Sequence, residues 1–169
     1  MTDRVYPEFS DGIWDDDEWI SWDWINQNVH EQELREQYPQ ADLELIDVFE
    51  RLVEVAMDHK AVTGNYLQVW GELGELYAEI KFGVKRHRPK AQGSDGKIGN
   101  DFVEVKTISP EKSLHKVQVK RAGHFNKLLI VKIDADFNFE ARMVERTLLG
   151  KGNGKFARMT WHGASKSAD

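Results

Sequence analysis

The sequence contains no cysteine, only four prolines and no apolar run near the roughly 18 residues that a membrane-spanning helix needs. The lack of cysteine excludes disulfides, cysteine-ligated zinc and thiol catalysis, and it fits a reducing compartment. The first residues also lack the basic-then-apolar layout of a secretory signal peptide. These absences predict a protein that neither spans a membrane nor is exported by that route, and we expect it in the cytoplasm.

The charges divide the chain into two unequal parts. Residues 1–60 contain 17 acidic and 4 basic side chains, whereas residues 61–169 contain 12 acidic and 19 basic ones. A basic surface suits phosphate binding, because the release of counterions drives association with nucleic acid. The alternative is that both parts are ordinary solvated faces, and charge alone does not separate the two interpretations.

Four of the six tryptophans lie among a dense group of acids in residues 11–25. We expect a helix beginning at Asp15 to Asp17, because carboxylates stabilise the unpaired N–H groups of a first turn. This segment is predicted to dock a protein partner, a second copy or the basic surface of its own domain, unless its tryptophans simply cover the core. Residues 1–40 are therefore predicted to be an acidic, tryptophan-rich helical segment that precedes the main domain, residues 41–169.

Two further helices follow from the spacing of apolar residues at three and four positions. The first covers about residues 42–59 and is ended by the segment that contains Gly64, and the second runs from about residue 67 to residue 82, before Gly83. The second helix carries small residues that would let a sheet or another backbone approach closely. These small residues are Gly71, Gly74 and Ala78, and the glutamates on another side of the helix are Glu72, Glu75 and Glu79.

The stretch from Phe102 to Thr107 is predicted to be a β-strand, because it is rich in Phe and Val and lies between turn residues. Alternation along a strand places Glu104 and Lys106 on the same face. A preceding glycine-rich turn can join two antiparallel strands and set Asp95 opposite Glu104. Two carboxylates beside a lysine suit a hard cation and an attacked group, whereas an isolated Glu-x-Lys is usually a surface ion pair.

Other strands and basic positions complete the pattern. Residues 114–120 fit a short strand or a helix, residues 128–133 fit a buried strand, and residues 140–146 fit an edge strand. A basic loop without acidic residues follows the second of these helices. This loop and the segment before the buried strand supply six candidate nucleic-acid contacts, and His87 and His124 are further candidates. The six are Lys85, Arg86, Arg88, Lys90, Lys120 and Arg121.

Together these motifs resemble the PD-(D/E)xK, or restriction-endonuclease-like, nuclease superfamily, and particularly its small resolvase-like members. The resemblance covers about residues 68–133 and rests on Gly-x-x-Gly-Glu-x-x-Ala at 71–78, on Asp95, on Phe-Val-Glu-Val-Lys at 102–106 and on the buried strand. It implies an α/β fold with a mixed central β-sheet flanked by helices, here preceded by the acidic helical extension.

The resemblance also implies the roles of four side chains. Asp95 and Glu104 would ligate Mg²⁺, for which Mn²⁺ is expected to substitute. Lys106 would orient or activate the attacking water, and Glu75 would assist metal or water binding. Glu72 is a rival to Glu75 that spacing does not exclude. The rival to Asp95 is Asp101, which an unbroken strand would place on the face opposite Glu104.

The chain departs from the superfamily pattern at three positions. Ser94 stands where the motif has proline, and Ile108 stands where resolvase-like members often carry a basic residue. The Gln-x-x-x-Tyr motif of exonuclease relatives is absent, because Gln118 is followed four residues later by Ala122. The superfamily tolerates the first substitution, and the second predicts different substrate contacts at that position.

The resulting expectation is a Mg²⁺-dependent endonuclease that acts on DNA rather than RNA. A catalytically inactive nuclease-fold module that binds nucleic acid or protein is the alternative. A homodimer is expected if both strands of a duplex are cut, because each cut needs a site. A protein partner is expected at the acidic N-terminal segment, and no association with a membrane is expected.

Overall fold

A computed structural model of the chain describes residues 11–88, 93–150 and 153–164. This part is a mixed α/β structure with three helices, one five-stranded sheet and two two-stranded sheets. None of its helices is both long and apolar enough to cross a membrane. The elements in chain order are β1 (Gly12–Asp15), β2 (Glu18–Ser21), α1 (Trp22–Gln37), α2 (Leu43–Thr63), α3 (Trp70–Phe82), β3 (Lys85–Arg86), β4 (Gly96–Ile98), β5 (Asp101–Ile108), β6 (Lys116–Lys120), β7 (Lys127–Ile133), β8 (Phe139–Glu145), a 3₁₀ turn (Arg146–Leu148) and β9 (Phe156–Thr160).

The N-terminal segment begins with a β-hairpin, so the prediction of a helix start at Asp15 to Asp17 is wrong. Asp16 and Asp17 form the two-residue turn between β1 and β2 with φ values of 42° and 67°. Aspartate tolerates this left-handed region better than most residues, and positive φ at both turn positions matches the twist of the strands. Trp14 and Trp19 pair across the hairpin, with ring centroids 5.6 Å apart.

Helix α1 begins only after the hairpin and has no buried residue. The Ser21 hydroxyl accepts a hydrogen bond from the Trp24 N–H and so caps the first turn. Helix α2 confirms the second predicted helix and extends it by one further turn. Asp42 caps its N-terminus, and Gly64 ends it with φ of 73°.

Helix α3 confirms the third predicted helix, which Gly83 ends in the left-handed conformation. The expected close approach occurs at Gly74, because a Cβ atom there would overlap the hydroxyl of Thr107 on β5. Gly71 does not take part, since a Cβ added to it would have no neighbour within 4 Å. A single glycine therefore sets how closely α3 approaches the central sheet.

The central sheet has the order β3-β4-β5-β7-β8, in which β5 and β7 are parallel and the other neighbours antiparallel. This confirms the mixed sheet, the buried strand at 127–133 and the edge position of β8. Residues 116–120 form a strand rather than a helix, and β6 pairs with β9 as a separate ribbon.

Alternate residues of β5 belong to two different hydrophobic clusters. Val103 and Val105 pack in a cluster with residues of α2 and α3. Phe102 and Ile108 pack in a second cluster with residues of β6 and β9. Since Glu104 and Lys106 alternate with the valines, they lie on the side of the sheet where β6 and β9 pack.

Candidate functional site

Asp95 lies immediately before β4, and two hydrogen bonds attach it to β5. Its N–H donates to the Val103 carbonyl oxygen over 3.0 Å. Its Oδ2 accepts a hydrogen bond from the Val105 N–H over 2.7 Å. The antiparallel pairing of β4 and β5 thus brings the carboxylate to the middle of β5, as the glycine-rich turn predicts.

Three oxygen atoms surround the ammonium group of Lys106. Its Nζ lies 2.6 Å from Glu104 Oε1, 2.9 Å from the Val105 carbonyl oxygen and 3.7 Å from Asp95 Oδ2. The side chain of Glu104 is 18% exposed, that of Asp95 28% and that of Lys106 32%. The structure therefore brings the three sequence-predicted residues together at a position that solvent reaches but does not fully hydrate.

Asp101 belongs to a different group of charges. Its Oδ2 lies 3.0 Å from Lys127 Nζ, and the same ammonium lies 3.5 Å from Glu145. Asp101 thus pairs with Lys127 of the neighbouring strand β7 rather than with Lys106. This agrees with the face assignment that separates it from Glu104.

Arg86 distinguishes among the three glutamates of α3. Its guanidinium binds Glu79 through Nε at 2.6 Å and Glu72 through Nη1 at 2.8 Å. Among the described residues, the Glu75 carboxylate takes part in no side-chain hydrogen bond or salt bridge. Burial raises the pKa of Glu75, the negative charges of Asp95 and Glu72 raise it further, and the positive charges of Arg86 and Lys106 oppose that rise.

These interactions favour Glu75 over Glu72 as the glutamate whose charge acts on Asp95, although Glu75 is not among the residues that line the cleft with Asp95, Glu104 and Lys106. The charge of Glu72 is engaged by Arg86, whereas Glu75 is half-buried within electrostatic range of Asp95 and Lys106. A group with a raised pKa near other carboxylates is a candidate for proton handling or for binding a cation. Its place beside Asp95 depends on how α3 packs, which spacing along the helix does not specify.

Replacing Glu75 with glutamine is expected to stabilise the protein at neutral pH. A folded-state pKa above the ordinary value of 4.5 means that ionisation of Glu75 opposes folding. The contribution of Glu75 to the free energy of unfolding is therefore most favourable below pH 4.5, and it is lost as the pH rises through the folded-state pKa. Glutamine does not titrate. Urea unfolding should give a stability advantage for Glu75→Gln that grows from pH 4 to pH 7.

Glu72→Gln is the matched control for this comparison, because it removes a neutralised carboxylate from the same helix. It is expected to show no such advantage, since it replaces the ion pair of Glu72 with Arg86 by a weaker, uncharged contact. A difference between Glu75→Gln and the native protein that does not change with pH would contradict the prediction.

Asp95, Glu104 and Lys106 line an open cleft of about 790 Å³. The residues that line it with them include Gln118, Lys120, His124 and Phe156. Lys120 and His124 are predicted nucleic-acid contacts, whereas Gln118 was not predicted as a site residue. The alternation of residues 114–120 could have placed Gln118 beside Lys120, but nothing in the sequence indicates that β9 brings Phe156 to them.

The other predicted nucleic-acid contacts that the structure describes do not line this cleft. Arg86 is engaged by two glutamates, and Arg121 donates to the Gly150 carbonyl oxygen. Lys85 and Arg88 are exposed at and just beyond β3. Lys90 lies outside the described residues. His87 packs against Phe102, and its ring nitrogen lies 3.1 Å from the Ser94 carbonyl oxygen.

The donor set suits a hard cation that keeps part of its water shell. Among the described residues, no group of three or more His, Asp or Glu side chains could hold a metal by itself. Asp95, Glu104 and the Val105 carbonyl nevertheless supply three oxygens around one positive charge. Mg²⁺ in proteins is often held by one or two carboxylates with water or phosphate completing its coordination, so these residues fit it.

The fold and the site define a mixed α/β protein with a carboxylate and lysine centre in an open cleft. No protein-family model matches the chain, and no curated protein matches it either. Its assignment therefore depends on its own residues and their geometry.

Proposed function

We propose that the protein is a metal-dependent phosphodiesterase, an endonuclease that acts on DNA and has the PD-(D/E)xK, restriction-endonuclease-like fold. The observation that carries this proposal is the position of the Lys106 ammonium in an open cleft, where its Nζ lies 2.6 Å from Glu104 Oε1 and 3.7 Å from Asp95 Oδ2. Phosphodiester hydrolysis needs positive charge near the attacked phosphate and a positioned water, and this group of residues is suited to both.

The order of the elements supports the same proposal. Helix α3 with Glu75 precedes the antiparallel pair β4 and β5, which carries Asp95 and the Glu-x-Lys sequence, and the parallel buried strand β7 follows. The resemblance implies this succession of a glutamate helix, an aspartate at a turn, a Glu-x-Lys strand and a buried strand.

Each residue has a distinct part in the proposed reaction. Asp95 and Glu104 would hold Mg²⁺, which supplies charge neutralisation at the phosphate oxygens. The Val105 N–H fixes the orientation of the Asp95 carboxylate. Lys106 directs its ammonium to the attacking water and stabilises the developing negative charge. Glu75, whose pKa is raised by burial and by the charge of Asp95, would assist metal or water binding, as the resemblance implies.

The direct test is cleavage of supercoiled, linear and single-stranded DNA in Mg²⁺, Mn²⁺ or a chelator. We expect cutting with either metal, none with the chelator, and loss of cutting in Glu104→Ala. Glu145→Ala is the matched control, because it removes an exposed acid of β8 that pairs with Lys127. Folded protein that binds DNA but cuts none of these substrates would instead indicate the non-catalytic binding module.

A further inference from the structure

The two-stranded ribbon of β6 and β9 has one buried and one exposed face. Val117, Val119 and Ala157 are buried in the hydrophobic cluster beneath it. The intervening residues point away from that cluster, and the strand register pairs them across the ribbon. We call this set the ribbon face, and it consists of Lys116, Gln118, Lys120, Phe156, Arg158 and Thr160.

The ribbon face carries three positive charges and no acid. In the described part of the chain, Lys116, Lys120 and Arg158 take part in no salt bridge. This differs from Lys106 and Arg86, each of which contacts two carboxylates. Cations without acidic partners on an exposed strand face remain free to contact phosphates.

Phe156 gives the ribbon face an exposed aromatic ring. Its side chain is 40% exposed, although the neighbouring Ala157 is buried in the core. It pairs across the ribbon with Lys120, and Lys155 Nζ lies 5.7 Å from its ring centroid. An exposed ring beside lysines is the combination with which proteins stack the bases of single strands while holding their phosphates.

The ribbon face continues into the candidate site on both sides of Lys106. Lys120 and Phe156 line the cleft that contains Asp95 and Glu104. Lys116 and Arg158 line a second cleft of about 300 Å³, which Lys106 and Lys112 also line. Gln118 lines both clefts, so one strand crossing the ribbon would pass the carboxylate and lysine centre.

We propose that the ribbon face binds a single-stranded DNA segment beside the phosphate to be cut, with Lys116, Lys120 and Arg158 on its phosphates and Phe156 stacked on a base. The proposal rests on the proposed nuclease function and narrows its substrate to DNA with an unpaired segment at the cut. A duplex keeps its base faces stacked on one another, so a ring such as Phe156 contacts a base face only where the strand is unpaired or unstacked.

Binding is tested with the full chain in the Glu104→Ala background and with Ca²⁺, using labelled single-stranded DNA and the matched duplex in fluorescence anisotropy. Phe156→Leu is expected to weaken single-strand binding by about fivefold or more, to leave duplex binding unchanged and to be rescued by Phe156→Trp. Lys116→Ala and Arg158→Ala are each expected to lower the slope of log affinity against log salt by about 0.7. Phe156→Leu should leave that slope unchanged.

Arg51→Ala is the control for loss of a positive charge, because Arg51 lies on α2 and pairs only with Asp47 among the described residues. This substitution should change neither the affinity for DNA nor the slope of log affinity against log salt. Equal weakening of single-strand and duplex binding by Phe156→Leu, or no weakening, would overturn the proposal. Tighter, Phe156-dependent binding of single-stranded RNA would overturn the choice of DNA.

Cleavage separates this proposal from the one on which it rests. If DNA is cut in a Glu104-dependent manner while all ribbon variants bind single strands normally, the ribbon proposal is wrong and the nuclease proposal stands. If the ribbon variants lose single-strand binding but no DNA is cut, the ribbon face is a binding surface and the nuclease proposal is wrong.

Discussion

Replacing Lys106 with methionine is expected to reduce cleavage by about 10²- to 10³-fold while leaving Mg²⁺ binding intact or strengthening it. The ammonium of Lys106 lies among the oxygens of Glu104, Val105 and Asp95 that we propose as the environment of the metal. Methionine keeps much of the side-chain length but removes a positive charge that competes for the same carboxylates. The lost charge is also the one that would stabilise the attacking water.

Glu104→Ala is the comparison that gives this experiment its meaning, because it should lose both cleavage and metal binding. Calorimetric titration with Mg²⁺ and the rise of the melting temperature with Mg²⁺ both report binding without turnover. We expect the Mg²⁺-dependent rise in native protein and Lys106→Met, but not in Glu104→Ala. A Lys106→Met protein that cuts DNA at the native rate would exclude Lys106 from the reaction.

Gly74→Ala is expected to destabilise the protein by about 1 to 3 kcal/mol, the usual range for overpacking a close contact. The added Cβ would overlap the Thr107 hydroxyl, so the partly buried Thr107 side chain must rotate in a tight space or α3 and β5 must move apart. Thr107 directly follows Lys106, and Glu75 directly follows Gly74. The same shift should therefore reduce cleavage beyond the effect on stability.

Gly71→Ala is the matched control on the same helix. A Cβ at Gly71 meets open space, so the better helix propensity of alanine should stabilise the protein by up to about 1 kcal/mol. Adding Thr107→Ala to Gly74→Ala removes the hydroxyl and should restore much of the loss, which a double-mutant cycle in urea measures as coupling. Equal unfolding free energies for Gly71→Ala and Gly74→Ala would contradict this interpretation.

Helix ends and strand faces could be predicted because they depend on neighbouring residues. Gly64 and Gly83 end α2 and α3 in the left-handed conformation that glycine adopts without strain. The same local reasoning failed at Asp16 and Asp17, where an aspartate group suits a helix start and a two-residue hairpin turn equally well. The pairing of Trp14 with Trp19 across the strands favours the hairpin, and that contact is not visible in helix-capping preferences.

The candidate site also has features that depend on neighbouring residues and features that depend on distant ones. The sequence by itself determined that Glu104 and Lys106 share one face of a strand and that a glycine-rich hairpin sets Asp95 on the neighbouring strand opposite Glu104, because a period of two and a hairpin turn are local properties. The tertiary structure alone decided that Arg86 engages Glu72 and Glu79, and that the charge of Asp95 acts on the half-buried Glu75. It also decided that the pairing of β9 with β6 carries Phe156 into the cleft. Such partners lie far apart along the chain, and they are selected by the packing of the whole domain rather than by any repeat in the residues around them.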